Sequence, residues 1–189
     1  MIYNIGSRDF QRAYGFVAAA NRVLSQTETP IVVFPEGAAG WRTVTSERKW
    51  MGLANRAGKT LYAGAADGNG EGYDNALVRV TGSSFEVVYR QRMPVPVSMW
   101  RPWSKKTAIA HLNQQPAVML DGHATAVLIC YEQLLVWPIL QSRLAGADHI
   151  LGVANLWWAD GTSIPGIQMA AMTAWARLFN MNLTVSFNR

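Results

Sequence analysis

Two residue types that can act together in nucleophilic catalysis follow two apolar segments of the sequence. Cys130, the single cysteine of the chain, comes directly after the apolar run 126–129 and before a predicted helix. Glu36 follows the β-branched run 31–34, with Pro35 between them. A carboxylate at the end of a buried strand is partly desolvated, which raises its pKa and suits it to accept a thiol proton. The spacing predicts Cys130 as a thiol nucleophile and Glu36 as its base.

Each of these residues also has a simpler interpretation. A lone cysteine is most often a buried structural residue, and a carboxylate after a strand often caps a turn. Two observations favour a catalytic role for these residues. Glu132 stands two positions beyond the thiol, and Cys130 and Glu36 both follow predicted strands, where α/β proteins bind ligands. A helix that starts at Cys130 would also favour its thiolate.

The elements that would position these residues alternate between strands and helices. Apolar residues recur at helical spacing from Phe10 to Leu24, after a candidate cap at Ser7. The run 31–34 has the composition of a strand buried on both faces. Further helices are predicted at 46–57, 134–144 and 166–179, and further strands at 60–66, 76–80, 85–89, 126–129, 150–154 and 183–187. This alternation predicts an α/β layered fold, and the 189 residues show no linker, so we expect one domain over 1–189.

Composition excludes several classes of protein. The net charge is +5, and no basic run is longer than a pair such as Lys105-Lys106, so we expect no nucleic-acid partner. One cysteine forms no internal disulfide, and no cysteine–histidine cluster has zinc spacing, so we expect no metal and no cofactor. No apolar run reaches the roughly 20 residues that span a bilayer, and charged residues interrupt the start too early for a signal peptide. We therefore expect a cytoplasmic protein.

Aromatic residues offer candidates for binding. The chain has eight tryptophans, and the cluster Met99-Trp100-Arg101-Pro102-Trp103 could line a groove or touch a membrane interface. Asn155, Trp157 and Trp158 follow a predicted strand and could line a substrate pocket, although core packing explains the tryptophans equally well. Tyr131 is a further candidate as the neighbour of Cys130, and packing explains it better than catalysis does.

Three motifs occur in the order found in the nitrilase superfamily of carbon–nitrogen hydrolases. The stretches 34–36, 89–96 and 129–132 resemble its glutamate, lysine and cysteine motifs. Within the superfamily the chain is similar to the apolipoprotein N-acyltransferase branch, which shares the Cys-Tyr-Glu signature. The stretches 130–138 and 174–179 are most similar to the TraB-type conjugal transfer proteins of plasmids.

This resemblance implies an α-β-β-α sandwich and amide chemistry. In that scheme Glu36 deprotonates Cys130, the thiolate attacks an amide or ester carbonyl, and water or an amine resolves the thioester. Glu132 would orient the site. The implied function is a hydrolase or N-acyltransferase associated with plasmid conjugal transfer, acting on a small-molecule, peptide or lipid-linked acyl substrate.

The sequence departs from the superfamily at two polar positions. Gln91 falls at the place of the catalytic lysine, and Met99 stands near the place of a second glutamate. Losing one preorganised oxyanion donor costs on the order of 10²–10³ in rate. Gln91 could donate only a neutral hydrogen bond, and its neighbours Arg90 and Arg92 face the other side of an extended chain. The alternative function is therefore a catalytically inactive nitrilase-fold module that binds a peptide or envelope partner.

The two ends of the chain resemble a domain truncated on both sides. The segment Met1-Ile2-Tyr3-Asn4-Ile5 is a poor version of the superfamily's first strand, and the superfamily continues beyond the asparagine that Asn188 represents. An exposed sheet edge would favour a homo-oligomer. Because TraB-type proteins carry membrane segments ahead of this domain, a fragment of a longer chain would be membrane-associated.

Overall fold

The computed structural model describes residues 13–68 and 70–188. The helices within these ranges are α1 (Ala13–Gln26), α2 (Val44–Ala57), α3 (Val136–Leu144) and α4 (Ile164–Phe179). The strands are β1 (Ile31–Val33), β2 (Gly40–Trp41), β3 (Thr60–Gly68), β4 (Tyr73–Val80), β5 (Phe85–Arg90), β6 (Val118–Leu120), β7 (His123–Ile129), β8 (His149–Asn155) and β9 (Asn182–Asn188). The predicted cap at Ser7, the helix start at Phe10 and the segment 1–5 lie outside the described residues.

The strands form two sheets. In the first sheet the order is β1-β3-β4-β5, with the short β2 also paired to β3. In the second sheet the order is β6-β7-β8-β9, and β7, β8 and β9 run parallel. Gly68 of β3 pairs with Tyr73 of β4 in an antiparallel register, so these two strands form a β-hairpin.

Three apolar clusters define four layers. The first joins α1 and α2 to the outer face of the first sheet, with Leu24 and Trp50 among its buried members. The second joins α3 and α4 to the outer face of the second sheet, through Ile139 and Met172. The third lies between the sheets and contains buried residues from both: Tyr62, Leu77, Tyr89, Leu120, Val127, Ile129, Leu151 and Val153. The predicted α-β-β-α sandwich is confirmed.

Strand β1 differs from its prediction. It pairs with β3 and stands at the end of the sheet order, so one edge of the strand is unpaired within the described residues. Val32 is buried, but Ile31 is 38% exposed. The prediction that this run is buried on both faces is therefore wrong for its first residue, because an apolar run does not distinguish an edge strand from a central one.

Helix α2 ends where the sequence predicts and begins two residues earlier. Thr43 caps its N-terminus, with a reciprocal hydrogen bond to Ser46, which is the capping-box arrangement. Gly58 ends the helix at φ +62°, a left-handed conformation that glycine adopts readily. None of the described helices combines the length and the apolar character that crossing a bilayer requires.

Candidate active site

Cys130 occupies a constrained turn at the end of β7. Its φ is +50°, which is uncommon for a residue with a side chain and persists only when the surrounding structure holds it. The predicted helix after this strand starts as a 3₁₀ turn, Cys130–Leu134, and α3 follows it. The thiol is partly exposed, at the floor of a cavity beyond the carboxyl ends of the strands. Gln168 of α4 supports the turn by donating from Nε2 to the Cys130 carbonyl at 3.1 Å.

Glu36 lies buried beside the thiol. Its Oε1 accepts a hydrogen bond from Asn75 Nδ2 at 2.6 Å, and its Oε2 accepts one from the Asn155 N–H at 2.9 Å. The Cys130 thiol is a third hydrogen-bond partner. Burial raises the pKa of Glu36 above its ordinary value, even though all three hydrogen bonds lower it. The carboxylate is therefore held in place and more basic than an exposed one.

The pKa of Cys130 is raised. Burial is the largest cause, followed by the negative charge of Glu36 and the hydrogen bond between the two groups, whereas the Tyr131 N–H and the Gln168 side chain lower it. The expectation that a helix N-terminus favours the thiolate is not met, because the turn after Cys130 is a short 3₁₀ segment and the carboxylate opposes a second negative charge. Burial and the neighbouring carboxylate therefore both favour the thiol form of Cys130.

Gln91 lies behind Glu36 and is fully buried. Its Oε1 accepts from Asn75 Nδ2 at 2.9 Å, and its Nε2 donates to the Ile129 carbonyl at 2.8 Å. The side chain therefore brings no positive charge to the site. Its Oε1 and one N–H of its Nε2 are bonded within the protein, and Gln91 is not among the residues that line the cavity.

Glu132 is fully buried on the other side of the Cys130 turn. Its carboxylate accepts hydrogen bonds from the backbone N–H groups of Arg92 at 2.7 Å, Met93 at 3.1 Å and Ile129 at 2.9 Å, and from the Tyr89 hydroxyl at 3.0 Å. Burial raises the pKa of Glu132 to about 7, although these N–H groups and the charge of Arg92 lower it. Through these bonds Glu132 joins the end of β5 to the start of the Cys130 turn.

Arg92 is the cation of this second network. It is fully buried, and its Nε donates to the Tyr89 hydroxyl at 3.0 Å. Its Nη2 donates to the Pro138 carbonyl and to Ser142 Oγ, both at 3.0 Å. The guanidinium also lies 5.7 Å from the ring centroid of Trp137. Arg92 therefore connects Glu132 to α3 and makes no hydrogen bond to Glu36.

Arg90 contributes to neither network. Its Nε lies 2.6 Å from Asp74 Oδ2 in a half-exposed ion pair. Neither arginine beside Gln91 replaces the missing lysine, as the alternation of an extended chain indicates.

The cavity above Cys130 has a volume of about 470 Å³. Among the predicted binding residues, Asn155 and Trp158 line it, whereas Trp157 and Tyr131 do not. Met99 lines it as well. Cys130, Glu36, Asn75 and Asn155 provide polar groups, and the other lining residues are Gly37, Gly40, Trp41, Ala65, Ala66, Tyr73, Val95, Ser98, Met99 and Trp158.

Two residues of the site were not identified from the sequence. Asn75 is buried on β4 and joins Glu36 to Gln91, and Gln168 is buried on α4 beside Cys130. The signal in both cases is a polar residue at a buried position of an otherwise apolar element. This signal can be used only when the neighbours of the element are known, because a polar residue in the sequence lies on an exposed face at least as often as on a buried one.

These features are those of a carbon–nitrogen hydrolase, and residues 63–177 match the family described as carbon–nitrogen hydrolase. The chain belongs to this family. It is 44% identical to the conjugal transfer protein TraB of Agrobacterium fabrum, over 97% of this chain and 44% of that protein. It is 27% identical to the apolipoprotein N-acyltransferase of Synechocystis, over 79% of this chain and 32% of that protein.

A solved structure is similar in fold. The amidase of the nitrilase superfamily from Nesterenkonia aligns with a TM-score of 0.66 at 17% identity, over 100% of this chain and 74% of that one. This likeness shows the nitrilase fold. The chain spans less than half the length of the curated TraB and N-acyltransferase proteins described above.

Proposed function

We propose that the chain is a cysteine-dependent carbon–nitrogen hydrolase or N-acyltransferase that acts on an amide or ester carbonyl through a thioester, in association with plasmid conjugal transfer. The observation that carries this proposal is the buried Glu36 carboxylate beside the Cys130 thiol, because both residues line one cavity and the pKa of each responds to the other. The fixed hydrogen bonds of Glu36 to Asn75 and Asn155 support a role as base, because they hold it at hydrogen-bond distance from the proton it takes.

In the first half-reaction, Cys130 Sγ attacks the carbonyl carbon while its proton passes to Glu36. The tetrahedral intermediate then expels the amine or alcohol, which takes the proton from Glu36. In the second half-reaction, water or an acceptor amine attacks the thioester and gives a proton to Glu36. The departing Cys130 thiolate recovers that proton. Glu132 and Gln168 act as positioning residues, since they hold the turn that carries the nucleophile.

Stabilisation of the oxyanion would come from neutral donors. The Tyr131 N–H follows the nucleophile directly in the turn, and Gln168 Nε2 lies 3.1 Å from the Cys130 carbonyl, so both donors lie near the point of attack. The cavity wall is largely apolar, with Trp41, Tyr73 and Met99 among its residues, which suits an acyl group of apolar character.

A second candidate function is a catalytically inactive nitrilase-fold module that binds a peptide or envelope partner. The observation in its favour is Gln91, whose amide is fully engaged by Asn75 and Ile129 and leaves the site without a cation. The same reactivity experiment tests both functions.

The experiment is covalent labelling of Cys130 by fluoroacetamide, followed by intact mass at several pH values. A glutamate-to-glutamine mutant of the Nesterenkonia amidase shows covalent addition of the acetamide moiety of fluoroacetamide at its active site cysteine, so this reagent can reach a cysteine in the nitrilase fold. We expect labelling that Cys130→Ala abolishes and that Glu36→Gln slows by about 10²–10⁴, the usual contribution of a general base. The rate should rise with pH as Glu36 loses its proton, because its pKa lies above the ordinary value.

Glu28→Gln is the matched control, since it removes one carboxylate from an exposed position that does not line the cavity. Its labelling rate should equal that of the unchanged chain. Labelling at the rate of a free thiol, with no response to Glu36→Gln, would reject the proposed base and leave the binding module as the better function.

A further inference from the structure

A projecting loop carries the aromatic and basic residues beside the cavity. Residues 101–106, hereafter the basic tip, are six consecutive exposed residues with the sequence Arg-Pro-Trp-Ser-Lys-Lys. The loop closes at its neck, where the Ala108 N–H donates to the Met99 carbonyl at 2.9 Å. The Lys106 N–H donates to the Glu71 carbonyl at 2.8 Å. These backbone bonds hold the basic tip as a compact projection.

The positive charge of the chain is concentrated around this loop. The sequence between Glu86 and Asp121 contains five lysines and arginines and no acidic residue, which equals the net charge of +5 of the whole chain. Two of the five, Arg90 and Arg92, are held by Asp74 and by the buried network. The other three lie on the basic tip, and the structure gives them no ion pair among the described residues.

An exposed aromatic residue lies among these cations. Trp103 is 74% exposed, and Val97 just before the neck is 66% exposed. A tryptophan between lysines suits the boundary between lipid headgroups and acyl chains, because the ring enters the boundary while the ammonium groups meet phosphates.

We propose that the basic tip docks the protein on the surface of an anionic lipid bilayer. Its position beside the cavity gives the docking a consequence. Met99 at the neck and the neighbouring Ser98 line the cavity that contains Cys130, and the exposed Trp41 and Trp158 lie on the same cavity wall. Docking would bring the mouth of the cavity to the headgroup layer. The proposal does not rest on catalysis, since none of its contacts involves Cys130 or Glu36.

Single-stranded nucleic acid is the other polyanion that aromatic and basic residues bind. Proteins that hold it line a groove along several nucleotides with successive stacking aromatics. The basic tip has one exposed aromatic residue and three cations, and it forms a projection rather than a groove. The exposed apolar side chain of Val97 would gain no contact from a phosphate backbone. The shape and composition favour a bilayer surface.

The test is cosedimentation of the protein with unilamellar vesicles made of equal parts phosphatidylcholine and phosphatidylglycerol, compared with vesicles of phosphatidylcholine alone. We expect binding to the mixed vesicles that weakens as salt is raised. Lys105→Gln with Lys106→Gln should lower the partition coefficient by about an order of magnitude or more, since each cation near an anionic surface contributes roughly a factor of five. Trp103→Ala should lower it further, and Cys130→Ala should leave it unchanged.

The matched controls are Arg48→Gln with Lys49→Gln, which neutralise an exposed adjacent basic pair on α2, and Leu144→Ala, which removes a side chain 79% exposed on α3. Both should bind vesicles as the unchanged chain does. Equal binding to the two kinds of vesicle, or an equal loss in the Arg48 and Lys49 variant, would reject the basic tip as the docking surface. Tight binding of a single-stranded oligonucleotide at physiological salt without vesicle binding would assign it to nucleic acid instead.

Discussion

Each side of the Cys130 turn contains a buried carboxylate, but the groups that surround the two carboxylates differ in charge. On the side of the cavity, Glu36 is surrounded by neutral donors, with Asn75 bonded to it and Gln91 behind. On the far side, Glu132 shares a network with the buried cation Arg92, through the Tyr89 hydroxyl. A cation is thus present next to Gln91, but its guanidinium donates to the Tyr89 hydroxyl and to α3 on the far side of the turn.

Burial sets the direction of the carboxylate pKa on both sides of the turn, since the pKa of Glu132 is raised although Arg92 lowers it. A cation near Glu36 would lower the pKa of both Glu36 and Cys130, because it favours their charged forms. Without one, burial dominates and the pKa of each group is raised. The side with the cation holds the turn in place, and the side without it contains the residues proposed to react.

The largest change in the free energy of unfolding is expected from removing the charge of Arg92 from the network on the far side of the turn. Arg92→Met keeps the length and apolar stem of the side chain and removes its charge from a fully buried site. Breaking a buried charge network by removing one partner costs about 3–5 kcal/mol, because the remaining charge stays buried without compensation. Urea unfolding should show a loss of this size.

Arg90→Gln is the matched control for this loss. The ion pair of Arg90 with Asp74 is on a side chain that is 38% exposed, and such pairs contribute about 0–1 kcal/mol. An equal loss in the two variants would show that the buried network contributes no more than a surface ion pair.

A smaller effect is expected from adding a cation to the cavity side. Gln91→Lys should raise the rate at which fluoroacetamide labels Cys130 by on the order of 10–10², because an ammonium group near Glu36 and Cys130 favours the thiolate that displaces fluoride. Gln91→Met, which has a similar size and no charge, should give no increase. If both variants labelled at the same rate, the missing lysine would not be what limits the reactivity of Cys130.

Much of the fold follows from local sequence signals. Gly58 ends α2 where the sequence predicts, and the long apolar runs of β7 and β8 are found within two or three residues of their predicted bounds. The short strands β2 and β6 were not predicted, since two or three residues carry no periodicity and form only because a longer neighbour pairs with them.

The two residues proposed to react were predictable from the sequence, whereas the side chains that hold them in place were not. Cys130 directly follows β7 and Glu36 lies three residues beyond β1, so each could be placed at the carboxyl end of a strand from the sequence. Asn75 and Gln168 come from elements whose facing direction depends on register and helix rotation. The structural role of Arg92 depends on a contact with Ser142, fifty positions away in the sequence, that no local pattern contains.

The smallest effect concerns the charge of Glu132, whose pKa burial raises to about 7 from an ordinary value of 4.5. The folded chain therefore binds this proton more tightly than the unfolded chain, so the contribution of Glu132 to stability is fully present below about 4.5 and is lost as the pH rises through 7. The free energy of unfolding, measured in urea and taken relative to Glu132→Gln, should rise as the pH is lowered across this window, by at most about 1.4 kcal/mol per pH unit. The variant's own packing cost is an offset that does not change this slope. If the free energy of unfolding relative to Glu132→Gln instead fell as the pH was lowered, the N–H donors and Arg92 would lower the pKa of Glu132 more than burial raises it. Glu132 would then remain a charged carboxylate across this pH window.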